Sequence, residues 1–149
     1  MKLTTKHFGE IDYDPSLAID FPEGLPGFPN RKRFIVLVEN DQDDTFCWLQ
    51  SVDDGELALA LINVYNVMPD YNPTVDMDEV STLGDLEGSN LLIYNVVVIP
   101  DDIKRMRANL RAPIVINPVT RRGKQVILNN DDYDMRFRIF EPAAGIAQH

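Results

Sequence analysis

Cysteine and histidine are almost missing from this sequence. A single cysteine, Cys47, among 149 residues excludes an internal disulfide, and two widely separated histidines, His7 and His149, leave no Cys/His cluster to bind zinc or activate a nucleophile. Set in CWLQS among core-type neighbours, Cys47 reads as a buried structural thiol. Long apolar runs are missing too. No stretch approaches the ~20 residues that span a bilayer, and no N-terminal segment joins positive charge to an apolar run. The expectation is a cytoplasmic protein, neither exported by that route nor embedded in a membrane. There is no glycine-rich phosphate loop and no G-x-S-x-G elbow. Asp41, Asp43 and Asp44 lack the glycine and the closing glutamate of a calcium loop. Asp53-Asp54 and Asp131-Asp132-Asp134 bring carboxylates together in sequence, but adjacency does not supply the desolvation that makes a general acid. No residue set carries an enzyme, and no metal or cofactor is expected.

Basic residues are scarce over most of the chain. Residues 1–100 hold 18 Asp and Glu against 5 Lys and Arg, a net of −13, while residues 101–149 hold 6 against 9, a net of +3. A total of −10 repels phosphate backbones, so direct nucleic-acid binding is not expected. The acidity serves either solubility or attraction of a basic partner. The basic groups gather at Lys104, Arg105, Arg107 and Arg111 and at Arg121, Arg122 and Lys124, as internal counter-charges or as contacts for an acidic element of a partner.

What is present is a series of short segments rich in Val, Ile, Leu, Tyr and Phe, cut by turn residues. This is an all-β pattern, mainly antiparallel, and its length suits one domain over 1–149 with a frayed tail from about 141. Strands are expected at 1–5, 9–11, 18–21, 33–38, 46–52, 57–64, 91–99, 108–110, 114–117 and 123–128. The continuous runs 34–38 and 96–99 suggest strands covered on both faces. ENDQDD at 39–44 reads as a connection, and Asp53-Asp54-Gly55 as a turn. Arg121-Arg122-Gly123 can place glycine at a positive φ between two hairpin strands. One helix is expected at 76–83, with acids in its first turn and an end at Gly84, and a helical turn at 101–106.

Two proline-punctuated loops stand out. FPEGLPGFP at 21–29 holds three prolines and two glycines between large apolar groups, so it is a shaped loop that either plugs a core or displays an apolar knob through Leu25 and Phe28. VMPDYNP at 67–73 carries Met and Tyr, residues enriched at interfaces. It either covers a sheet edge or barrel mouth or forms a partner site from Met68, Pro69, Asp70 and Tyr71, rimmed by Asp76, Asp78 and Glu79.

Several segments in this order resemble the flagellar assembly factor FliW family: GEIDYDPSLAIDFPEGLPGFPNRKRFIVL, FCWLQSVDDGELALALI, MPDY and NLRAPIVINPVTRRGKQVILNNDDYDMR. The resemblance covers nearly the whole chain. It implies a small cytoplasmic β-barrel-like protein of flagellated bacteria, monomeric alone and without cofactor or turnover. It also implies two protein partners. One is the RNA-binding translational regulator CsrA, antagonised away from its RNA surface, and the other is flagellin, which competes for the protein. A flagellin carrier with only an indirect effect on translation is the alternative, and a small-molecule-binding barrel a weaker one. The chain departs from the family pattern at Asn63-Val64, where many relatives have Asp-Pro, and at Arg111, a place often apolar.

Overall fold

The computed structural model describes residues 1–25, 27–38, 45–73, 75, 77–84, 91–128 and 133–139. A hairpin of β1 (Lys2–Thr5) and β2 (Gly9–Asp12) comes first. There follow β3 (Ile19–Asp20), β4 (Arg33–Leu37), β5 (Phe46–Ser51), β6 (Ala58–Ile62), β7 (Leu92–Val98), β8 (Arg107–Ala108), β9 (Ile114–Asn117), β10 (Arg122–Gln125) and β11 (Phe137–Arg138). Each strand expected from the sequence has a counterpart, displaced by a few residues at most. β11 has no expected counterpart because two residues are too few for alternation to stand out.

The strands close into a barrel. β7, β6, β5, β4, β3, β10 and β9 are neighbours in that order, and β9 pairs back onto β7. Among the described residues only β3 and β10 run parallel, through the single pair Asp20 and Arg122, so the sheet is mixed but mainly antiparallel. Closure leaves these seven strands without a free edge. β7 is long enough to serve twice: Leu92–Tyr94 pair with β9, and Val97–Val98 pair with β8, which carries β11 beyond it.

Side chains on a strand alternate between faces, and β7 shows the consequence. Tyr94 and Val96 pack on the barrel interior with Phe21, Phe34, Leu49, Leu61, Ile114 and Ile116. Ile93 and Val97 pack on the outer side, against a second core that includes Val64, Tyr71, Met106 and Leu110. The rings of Phe21 and Phe34 meet edge-to-face at 5.4 Å, and Cys47 is a buried thiol in the same core. Burying side chains of this size stabilises the fold by about 1.5–3 kcal/mol each.

Some expectations are corrected. Of the run 34–38 only Phe34 and Ile35 are buried, Val36 and Leu37 being half-buried and Val38 42% exposed, and in the run 96–99 Val98 is 66% and Ile99 46% exposed. β7 runs on past the closed part of the barrel, where Val97 still packs on the second core but the opposite face, at Val98, is open among the described residues. The hairpin of β9 and β10 exists, but its positive-φ residue is Arg121, at 58°, and not Gly123. Gly123 is required for a different reason: a Cβ there would lie 2.7 Å from the Phe21 ring. The expected helix is one α turn, α1 (Met77–Val80), continued as a 3-10 turn at Ser81–Leu83 and stopped at Gly84 with φ 102°. A 3-10 turn also occupies Ile103–Arg105, inside the expected 101–106. The connection at 39–44 lies outside the described residues, although the strands it joins pair antiparallel, Leu37 opposite Trp48.

Candidate partner-binding surfaces

The loop at 21–29 does both things expected of it. Phe21 and Leu25 are buried in the barrel core, whereas Phe28 is 41% exposed. Leu25 and Phe28 form a bridge with reciprocal backbone hydrogen bonds, Phe28 N–H to Leu25 O at 2.7 Å and Leu25 N–H to Phe28 O at 3.3 Å. Directly opposed residues send their side chains to one face, so Leu25 fills the inner position and Phe28 is left at the rim. Gly24 makes the turn possible with φ 68° and no room for a Cβ, which would come within 2.6 Å of Pro29 O. The expectation of Leu25 as an exposed contact is therefore corrected, while Phe28 is accessible at the surface.

Phe28 overlooks a groove of about 590 Å³ at the end of β7, walled by Leu59, Val96 and Val98 and flanked by Arg107 and Arg136. A shallower hollow of about 250 Å³ shares Asn109, Gln125 and Met135 with it and adds Ile127 and Arg111. Val98, Ile127 (68%) and Met135 (57%) are all largely exposed along this surface. Sequence reading missed the groove as a site. One signal was available: Val126 and Leu128 are buried, and period-2 alternation turns Ile127 the other way.

A second groove, about 450 Å³, opens at the other end of β7, between Leu92, Tyr94 and Leu37. Its rim differs in charge, with Asp12 and Asp14 facing Arg121. Asp14 caps the 3-10 turn Pro15–Leu17, and hydrogen bonds from the Ser16 hydroxyl and backbone N–H hold its carboxyl below the usual range.

The loop at 67–73 is placed against expectation. Tyr71 is 3% exposed, and its hydroxyl donates to Leu110 O at 2.6 Å and accepts from Asn95 Nδ2 at 3.2 Å. The rings of Tyr133 and Tyr65 flank it at 4.7 and 5.8 Å. Burial pushes its phenol up to about 12, against the pull of the Asn95 hydrogen bond. Tyr71 is thus a core residue, because its hydroxyl finds partners inside, and it offers no apolar area to a partner. Met68 is half-buried on the same core, while Pro69, Asp70 and Asp78 are exposed. Asp76 and the Glu79 side chain lie outside the described residues.

Among the described residues no three His, Cys, Asp or Glu side chains are grouped to hold a metal ion, and no helix is long and apolar enough to cross a membrane. Fold and surfaces together define a small closed mixed β-barrel whose distinctive features are open grooves and a rigid displayed loop. The chain belongs to the FliW family, the flagellar assembly factors: the family model described as FliW protein matches residues 2–139. It is 41% identical over 141 residues to the flagellar assembly factor FliW of Thermoanaerobacter pseudethanolicus, covering 95% of this chain and 94% of that one. The FliW of Caldanaerobacter subterraneus is 39% identical over 149 residues, covering 100% of this chain and 99% of its own. A crystal structure of the flagellar assembly factor FliW superposes with a TM-score of 0.86 at 34% identity, covering 94% of this chain and 97% of that one.

Proposed function

We propose that this protein works in the cytoplasm by binding CsrA and flagellin, so that flagellin captures it until secretion and its release restrains CsrA. The observation that carries this reading is membership of the FliW family along residues 2–139. The charge agrees: an acidic protein, −13 over residues 1–100, attracts a basic RNA-binding partner without imitating RNA. Its partner site is read as Met68, Pro69 and Asp70 with the acids of the turn that follows, Tyr71 holding the loop in place from below. Titration against purified CsrA and purified flagellin at low and high salt, followed by competition, tests the reading. Binding of both, with mutual displacement and weakening of the CsrA complex by salt, is the expected result. Binding of neither overturns it, and simultaneous binding breaks the switch.

A flagellin carrier with only an indirect effect on translation is the second reading. It is favoured by one observation, the exposed Phe28 beside contiguous apolar surface. Binding of flagellin without any binding of CsrA would select it.

A further inference from the structure

The geometry points to the groove beside Phe28 as a docking site for a protein segment that sets carboxylates next to apolar side chains, an inference that rests on the reading of this protein as a binder of protein partners. The apolar part of the site is contiguous. Phe28, Val98 and Met135 surround the groove, and Met135 is shared with the hollow that Ile127 lines. All four are exposed by 41% to 68%, and isolated exposed apolar residues do not explain four on one connected surface.

The polar part selects the partner's charge. Arg107 and Arg136 flank the groove, in a protein whose net charge is −10. Neither Arg107 nor Arg136 makes an ion pair with a described residue, and the described ion pairs lie elsewhere, as in Lys124 with Glu23 at 3.0 Å. Guanidinium groups match carboxylates in a bidentate fork, and beside apolar walls that pairing is less screened than in open water. A lysine-rich segment would meet repulsion here. Acidic groups elsewhere on the surface would repel an acidic partner, so the arginine-rimmed groove is where such a segment gains most.

The site is also built in advance. Phe28 is fixed by its bridge to Leu25 and by Gly24 and Gly27 at φ 68° and 87°, so little ordering cost remains to be met on binding. The contact divides into an aromatic anchor, aliphatic walls and a charged rim, the arrangement in which a few central residues carry most of the binding energy.

The test uses the full chain and three fluorescent probes. These are an amphipathic peptide of about 18 residues with leucine at helical spacing and glutamate elsewhere, its lysine counterpart, and an oligouridine of similar length. Anisotropy should show saturable binding of the glutamate peptide, weakened by salt, and no comparable binding of the other two. Arg107→Glu, at a half-buried position on β8, and Arg136→Glu, at an exposed one, should each weaken it by about tenfold, and Val98→Asp by at least as much. Should Val98→Asp fail to fold, the two arginine variants, checked by circular dichroism, still decide. Equal binding of the lysine peptide, preference for the oligouridine, or indifference to both arginine substitutions overturns the proposal. The same variants against purified CsrA and flagellin separate this inference from its parent. If wild type and variants bind a partner alike and the glutamate peptide does not bind, the groove falls and the partner reading stands. If neither partner binds but the peptide binds through the arginines, the groove stands and the partner reading falls.

Discussion

The loop at 21–29 and the loop at 67–73 are built alike, prolines alternating with large apolar groups, yet the first leaves Phe28 41% exposed and the second leaves Tyr71 3% exposed. What separates them is where a side chain can find partners. The Tyr71 hydroxyl reaches the Leu110 carbonyl and the Asn95 amide inside, so burial satisfies both its ring and its polar tip. Phe28 is bridged to Leu25, which already occupies the inner position, so its ring remains at the mouth of the groove. Proline and glycine make each loop rigid. They do not decide which way it faces.

The comparison is broken most directly by truncating both aromatic side chains. Tyr71→Ala removes a ring from the second core and leaves the buried Asn95 amide without its phenol partner, so it should cost about 3–5 kcal/mol and lower the thermal midpoint sharply. Phe28→Ala should cost well under that in the same melting experiment. Equal losses would mean that the two loops play one structural role.

Alkali should find the second loop and spare the first. The phenol is neutral when protonated, and a folded-state value raised from 10 to about 12 means that the fold favours the neutral form. Its contribution is intact below pH 10 and is lost as pH rises from 10 towards 12, by about 2–3 kcal/mol in all. Tyr65 shifts in the same direction by burial, so Tyr71→Phe is the variant that isolates Tyr71. Denaturant titrations across this range should show a steep fall for wild type and a shallower one for Tyr71→Phe. Parallel curves would remove Tyr71 from the account.

Gly24→Ala strikes the first loop at its backbone. The new Cβ would sit 2.6 Å from Pro29 O at φ 68°, so the turn must shift, at about 1–3 kcal/mol. Because Leu25 hangs from this turn, some of that loss reaches the barrel core. Gly27→Ala meets no atom within 4 Å and should cost less, through its φ of 87° alone. Chemical denaturation of the pair ranks them, and a larger loss at Gly27 would contradict the description of the turn.

How much of this was legible in the sequence follows the same division. Local chemistry was. Short β-branched segments between turn residues marked nearly every strand, and Gly84 marked the end of the helical turn. Barrel closure had no local signal, since it depends on β3, two residues long, meeting β10 through Arg122 and Asp20. The same holds for Gly123, whose necessity comes from a ring about a hundred positions earlier, Phe21. The run 96–99 looked like an interior strand because composition cannot tell a covered end from one left open. Tyr71 was misplaced for a related reason: Met, Pro, Asp and Tyr suit an exposed interface, and only the distant Asn95 and Leu110 reveal the inner partners. For the grooves, the basic cluster that includes Arg107 and Arg111 was visible, but the apolar neighbours Phe28, Leu59, Val98, Ile127 and Met135 come from separate segments of the chain.

The smallest effect on stability carries the sharpest consequence for function. Phe28→Ala should leave the thermal midpoint within about 1 kcal/mol of wild type, because the ring is only partly buried and Leu25 keeps the interior filled. Binding should respond differently. An exposed aromatic side chain fixed by a turn is the type of residue that carries binding energy, and its truncation should weaken capture of the groove's partner by about tenfold or more. Pro69 and Asp70 on the other loop are also exposed, and Pro69→Ala and Asp70→Ala should be as mild for stability. Measured side by side against the two proposed partners, CsrA and flagellin, these variants show which loop, if either, each of them contacts. If Phe28→Ala weakens one partner and Asp70→Ala the other, the barrel presents two surfaces, and competition between partners must pass through the body between them. If both substitutions weaken the same partner, one broad contact reaches across β7, and the contrast between the loops is one of packing alone.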